Sequence, residues 1–293
     1  RVTALETEGV AGPAGPAGAN GPAGANGTNG TNGTNGVTGR NYGRTITSLS
    51  TVDTTGTVGL YTSITVGADN NPIISYNDIN GDLKVAACTN PTCTTQTITT
   101  LDSINIVGFY TSITVGADAN PIISYFDATD GDLKVAACAD PTCTAATITI
   151  VDNDNGGTGI VGYYTSITVG ADNNPVISYY DFTNKDLKVA ACTNPTCTAS
   201  TITIVDGTND VGYYTSITIG ADGNPIISYF DGTADDLKVA ACTNATCTAS
   251  TITTVDATGV VGWYSSITIG ADGNPIISYY DFTAKDLKVA KLT

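Results

Sequence analysis

The sequence predicts an all-β fold: a five-bladed β-propeller whose last blade is completed by a strand from near the other end, preceded by a glycine-repeat tail. Three observations predict it. A unit recurs five times, beginning at Val58, Val107, Val161, Val211 and Val261, with spacings of 49, 54, 50 and 50 residues. Each copy holds strand-like runs separated by turn residues, and a period near 40–50 residues with four strands marks propeller blades. The fifth copy stops where its first cysteine should stand, and a run matching its absent fourth strand, TITSLSTVD, occurs at Thr45–Asp53.

Within a unit the first strand is YTSITVG, as at Tyr61–Gly67, followed by a turn of the ADNNP or ADGNP type. Asp, Asn and Gly suit tight turns, and Pro at the head of the second strand, PIISYYD, removes no central ladder bond. A second turn, such as FTNKD at 182–186, leads to the third strand, LKVAAC. A short loop of the TNPT type then leads to the fourth, TITTVD. Strands such as PIISY and LKVAA are apolar on both sides, which suits sheets packed face to face around an axis. The longer third spacing is explained by NDNGGTG at 153–159. Pairing of Thr45–Asp53 with Leu287–Leu292 would close the ring and cover its free edge. The cysteines agree with this arithmetic: five blades carry four pairs, and the unit without a pair is the one whose loop is replaced by chain ends.

Those pairs are Cys88/Cys93, Cys138/Cys143, Cys192/Cys197 and Cys242/Cys247, all at one spacing. With no His and no C-x2-C pair a thiolate metal site lacks ligands, so four local disulfides are expected. Facing positions on adjacent antiparallel strands, about 4.5 Å apart at Cα, are the expected seat of each bridge. Disulfides imply export. The chain also starts at Arg1 without Met and reads as a mature form whose leader has been removed.

Composition narrows the function. Thr, Ile, Val, Tyr, Gly and Asn dominate over Leu, a β composition. Eleven Lys and Arg stand against 27 Asp and Glu, giving a net charge of −16. That balance argues against nucleic acid and anionic membrane surfaces as partners, and no apolar run is long enough to span a membrane.

The chain divides into a strand-like segment, 1–8 (RVTALETE), a tail, 9–39, a linker, 40–44, and the propeller, 45–293. From Gly9 to Gly39 every third residue is glycine, eleven in strict register, with Pro13, Pro16 and Pro22 at second triplet positions. Three polyproline-type chains wind together only if the residue at the crowded axis lacks a side chain. The stretch resembles the collagen-like regions of bacterial surface proteins. That resemblance implies self-association, as a trimer through the tail or head to tail through docking of segment 1–8 on a neighbour.

Candidate binding residues lie in the repeats. Tyr61, Tyr110, Tyr164, Tyr214 and Tyr264 recur beside a variable partner: Leu60, Phe109, Tyr163, Tyr213 or Trp263. Aromatic pairs pack between blades in the plainer reading; in the sharper one Tyr61, Tyr110, Tyr164, Tyr214, Trp263 and Tyr264 stack on sugar rings, as in five-bladed propeller lectins, to which this domain is similar in architecture. Four aspartates recur per blade, represented by Asp172, Asp181, Asp186 and Asp206, and account for 20 of the 25. Turn chemistry explains them; Ca²⁺ is the one ion the pattern would admit, though no D-x-D-x-D-G loop is present. No cofactor is expected. The lysines Lys84, Lys134, Lys188, Lys238 and Lys288 are expected to pair with nearby aspartates.

An enzyme is not expected. Glycosidases need a particular pair of carboxylates, whereas nearly every acid here has a copy in each blade. Sialidases, also propellers, use an arginine cluster and an S/T-x-D-x-G-x-T-W box; here Arg44 stands alone at the entrance to the propeller and no such box is present. Without His or unpaired Cys, nucleophilic and general-base schemes lack parts. The expected function is a secreted structural protein, a subunit of an extracellular filament or stalked appendage. The alternative is a lectin-like adhesin on a collagen-like stalk.

Overall fold

The computed structural model describes residues 49–154 and 156–293. The expectations for segments 1–8, 9–39 and 40–44, and for residues 45–48 of the closing strand, lie outside the described residues.

Among the described residues nineteen strands form five antiparallel sheets. Blade one holds β1 (Val58–Val66), β2 (Pro72–Asp78), β3 (Leu83–Cys88) and β4 (Gln96–Asp102). Blade two holds β5 (Phe109–Val115), β6 (Pro121–Asp127), β7 (Asp132–Cys138) and β8 (Ala146–Asp152). Blade three holds β9 (Val161–Val169), β10 (Pro175–Asp181), β11 (Asp186–Cys192) and β12 (Ser200–Asp206). Blade four holds β13 (Val211–Ile219), β14 (Pro225–Asp231), β15 (Asp236–Cys242) and β16 (Ser250–Asp256). Blade five holds β17 (Val261–Ile269), β18 (Pro275–Asp281) and β19 (Asp286–Lys291). Within each sheet the strands follow chain order, and each pairs with its neighbour in sequence.

The first turn of each blade shows why these residues stop one strand and start the next. In blade one Asp69 Oδ1 accepts the Asn71 N–H at 2.9 Å, and Asn70 takes a left-handed φ of 64°. Gly67 N–H then bonds the Asn71 carbonyl at 2.8 Å, and Pro72 opens β2 at a position that needs no donor.

The core lies between blades. Ile73, Leu83, Val85 and Ala87 of blade one pack on Val107, Ile113, Ile123 and Tyr125 of blade two, and three further clusters repeat the pattern through blade five. The third strand is therefore buried on both faces, as its unbroken apolar run implies. A backbone amide to serine bond links successive first strands: Ile113 N–H to Ser63 Oγ, Ile167 to Ser112, Ile217 to Ser166 and Ile267 to Ser216, each at 3.2 Å.

The fifth interface departs from this. Leu287 of β19 is 80% exposed, whereas Leu83, Leu133, Leu187 and Leu237 at its position are fully buried. On the other flank Ile64 is 65% exposed, against 6% for its equivalent Ile113. Among the described residues no hydrogen bond or ring contact joins blade five to blade one, and β19 has no partner beyond β18.

Residues 49–53 form no strand here. They nonetheless occupy blade one as the end of a preceding fourth strand would. Ser50 Oγ donates to the Thr92 carbonyl at 2.9 Å, as Thr203 Oγ1 donates to Thr246 in blade four. Asp53 then meets Tyr76 as Asp102 meets Tyr125, both at 2.7 Å. The half of the predicted joint that faces blade one is present in the described residues; the ladder to β19 is not.

Candidate functional site

The feature that gathers residues from every blade is a ring of tyrosines. Tyr61, Tyr110, Tyr164, Tyr214 and Tyr264 each sit in the left-handed region, with φ between 51° and 54°. A bulky non-glycine residue there costs about 1–3 kcal/mol and persists only when its surroundings impose it. The cause is a bulge: between Tyr213 and Ser216 the register against β14 shifts, and the same shift recurs in the other blades. The preceding glycine is required. Gly212 has φ 107°, and a Cβ there would stand 2.9 Å from the Leu187 Cα.

The bulge turns all five phenols toward one shallow well of about 270 Å³. Successive rings touch at centroid distances of 4.9, 4.8, 4.6 and 4.5 Å from Tyr61 round to Tyr264. At two of the tyrosines a hydroxyl from the next blade holds the backbone carbonyl. Thr111 Oγ1 donates to the Tyr61 carbonyl, and Ser265 Oγ to that of Tyr214, both at 3.0 Å. Burial, reinforced by neighbouring phenols, pushes Tyr110 and Tyr214 up to about 12, so both are neutral at physiological pH. The well offers hydroxyl groups and ring edges, and no formal charge.

The residue before each tyrosine lies outside the lining of this well. Trp263 is not in the ring; it lies between blades four and five, 5.8 Å from Phe230 and 4.9 Å from Phe282. Its indole Nε1 is buried without a hydrogen-bond partner among the described residues.

A polar network also spans each interface. The last aspartate of one blade accepts the phenol of the next: Tyr125 to Asp102 at 2.7 Å, Tyr179 to Asp152 at 2.6 Å, and Tyr229 to Asp206 and Tyr279 to Asp256, each at 2.7 Å. The recurring lysine joins the same carboxylate to the aspartate ending the second strand: Lys134 lies 3.7 Å from Asp102 and 2.6 Å from Asp127. Lys84, Lys188, Lys238 and Lys288 repeat this arrangement. Burying such ions is costly unless each has a partner, and here each does. Beside them Asp132 is buried with one oxygen unbonded among the described residues, and burial together with Asp127 pushes it up to about 6. In the turn after β1 the aspartate instead caps its own backbone. The pattern divides the aspartates between turns and ion pairs, and the described residues hold no group of three or more metal-ligating side chains. Sequence reasoning missed the Tyr–Asp link, although the constant 23-residue offset between Asp102 and Tyr125, shared by three other blades, is visible in the sequence.

All four expected cysteine pairs are bonded: Cys88–Cys93, Cys138–Cys143, Cys192–Cys197 and Cys242–Cys247, each with Cα atoms 4.9 Å apart. The seat of the bridges is a correction to the cross-strand expectation. Cys88, Cys138, Cys192 and Cys242 do end the third strands, but they face Gln96, Ala146, Ser200 and Ser250 across the ladder. Their partners Cys93, Cys143, Cys197 and Cys247 lie inside the connecting loops, outside any strand, with left-handed φ of 51°, 54°, 54° and 56°. The physical reason is a turn within the loop. The Cys93 N–H bonds the Asn90 carbonyl and the Cys247 N–H that of Asn244, which carries each sulfur back under the strand end. Three of the bridges are buried in an inter-blade core cluster: Cys138–Cys143 in the first, Cys192–Cys197 in the second and Cys242–Cys247 in the third. The four disulfides point to an extracytoplasmic location.

No family model matches the sequence, and no curated protein matches it. Solved structures do resemble the fold. A protein of unknown function from Dyadobacter fermentans DSM 18053 superposes with a TM-score of 0.60 at 10% identity, covering 78% of this chain and 74% of that one. The α-L-arabinanase of Penicillium chrysogenum, complexed with arabinobiose, gives 0.58 at 11% identity over 78% and 77%. The exo-β-1,3-galactanase of Phanerochaete chrysosporium gives 0.51 at 8% identity over 82% and 60%. The chain thus shares the five-bladed β-propeller fold of arabinanase-like proteins. At these identities the likeness concerns the fold alone.

Proposed function

We propose that this chain is a structural subunit of an extracellular filament or stalked surface appendage, secreted and assembled through the collagen-like tail at 9–39. The observation that carries this reading is the unbroken glycine register, eleven glycines at every third position, which serves chain association and has no use inside a monomer. Three chains joined at the tail carry three propeller heads. Segment 1–8 then docks on a neighbour and extends the assembly.

Thr45–Asp53 closes each head by pairing with β19. The closed ring joins the tail directly to blades five and one, so a pull along the tail is received at that joint. Two further observations support a role without catalysis. The buried carboxylates repeat blade by blade, and each last-strand aspartate is held by a tyrosine and a lysine, leaving no distinctive pair for glycosidic chemistry.

Electron microscopy of the purified chain with and without residues 1–39 tests the proposal. Filaments or three-headed particles that vanish on removal of the tail are expected; monodisperse monomers in both preparations would overturn it.

The second reading, a lectin-like adhesin displayed on the stalk, is favoured by the five strained tyrosines that meet in the axial well. Glycan binding abolished by changes at Tyr164 and Tyr214 would support it.

A further inference from the structure

The repeat exposes one place where a side chain is missing. In each second strand, immediately before the terminal aspartate, stand Asn77, Phe126, Tyr180, Phe230 and Tyr280. In three interfaces this ring packs on the first-strand aromatic of the next blade: Phe126 on Tyr163 at 4.4 Å, Tyr180 on Tyr213 at 4.2 Å, and Phe230 on Trp263 at 5.8 Å. Between blades one and two the acceptor ring, Phe109, is present, but Asn77 replaces its partner. A pocket of about 350 Å³ opens there, lined by Phe109, Tyr61, Leu60, Ile106, Asn77 and Asn80.

Asn77 is not a neutral filler. Its Nδ2 donates to the Val107 carbonyl at 2.6 Å, which fixes the carboxamide, and its oxygen accepts no hydrogen bond among the described residues. The backbone around it matches its siblings, with Asn77 opposite Leu60 as Phe126 is opposite Phe109. The slot therefore keeps the shape that holds a six-membered ring elsewhere, with an apolar wall on one side and an amide on the other.

We infer that this slot between blades one and two is a carbohydrate site that takes one pyranose ring. The sugar's C–H face lies on Phe109, in the seat that Phe126, Tyr180 and Phe230 fill in the sibling interfaces, and its hydroxyls meet Asn77 and Asn80. A purely aromatic ligand is disfavoured, because it would bury the Asn77 oxygen without a donor. Ligand sites combine an apolar wall with a few fixed polar groups in this way, at volumes of about 300–1,000 Å³. The site shares Tyr61 with the axial tyrosine well but is centred on Phe109 and Asn77 between blades one and two, and it does not depend on filament assembly.

The test uses saturation-transfer NMR on the full chain with the methyl pyranosides of glucose, galactose, mannose and N-acetylglucosamine. At least one should show transfer at millimolar concentration, with at least a ~10-fold loss of affinity in Asn77→Phe. That variant restores the aromatic packing of the other blades, so its circular dichroism and melting temperature should match or exceed those of the parent. Phe109→Leu, which keeps an apolar wall but removes the ring, should weaken the same sugar. Absence of transfer from all four sugars, or binding that survives Asn77→Phe, would overturn the inference; the latter would assign the signal to the axial well. Neither result bears on whether the tail builds filaments, which microscopy reads separately.

Discussion

The Tyr76 phenol donates to Asp53 Oδ2 at 2.7 Å, repeating the bond by which Tyr125, Tyr179, Tyr229 and Tyr279 each hold the preceding blade. Asp53 is also 3.6 Å from Lys84, the lysine that serves this network in blade one. The segment leading into the propeller is thus fastened to blade one by the same groups that fasten one blade to the next.

Tyr125→Phe removes the phenol and leaves the buried Asp102 carboxylate with Lys134 alone. Loss of a hydrogen bond to a buried charge costs about 1–3 kcal/mol, read as a lower denaturant midpoint. Tyr76→Phe should cost a similar amount. A neutral Tyr76→Phe beside a costly Tyr125→Phe would mean that Asp53 does not hold the entering segment.

Asp132 gives stability a distinctive pH dependence. Its folded-state value of about 6 lies above the ordinary 3.8, so between those values the folded chain binds more protons than the unfolded one. Stability at this site therefore falls as pH rises from about 4 to about 6. Asp256 works in the opposite sense: burial raises it, but bonds from Lys288 and Tyr279 outweigh that and hold it down to about 2. Its contribution is present above pH 4 and is lost as pH falls toward 2. Asp132→Asn should abolish the loss between pH 4 and 6. It should also raise the unfolding free energy at pH 7, by an amount on the order of 1–3 kcal/mol after solvent screening. An unchanged melting profile over that range would contradict the assignment.

Each disulfide closes a small loop, with a separation of five residues. The loop-entropy model gives about 2 kcal/mol per bridge. Replacing Cys192 and Cys197 by serine should lower the unfolding free energy by about that amount plus the cost of opening the buried seat, while blade five, which has no bridge, should respond least to reductant. Hydrogen exchange with and without reductant, compared blade by blade, checks this.

The strands, turns and cysteine pairing are legible in the sequence because each rests on local chemistry repeated along the chain: Asp69 capping Asn71, Pro72 opening β2, Cys88 beside Cys93. The left-handed tyrosines are not, because a bulge is set by how β13 and β14 register rather than by any one residue. The turn at Asn244 likewise hides the loop seat of Cys247. The emptied slot at Asn77 can be found by aligning the repeats, where a single amide stands among Phe and Tyr. The truncated fifth copy foreshadows the exposed flank of blade five, but only the burial of Leu237 beside the exposure of Leu287 shows what an uncovered interface leaves open.

Hydrogen exchange at β19 tests ring closure most directly. In β15 alternate amides bond β14 on one side and β16 on the other. The alternate amides of β19 that face away from β18 have no partner among the described residues, and pairing with Thr45–Asp53 would supply one. In the full chain those amides should be protected to the same order as their counterparts in β15. Exchange at the rate of an open edge, with protection confined to the amides bonded to β18, would contradict closure by the entering strand.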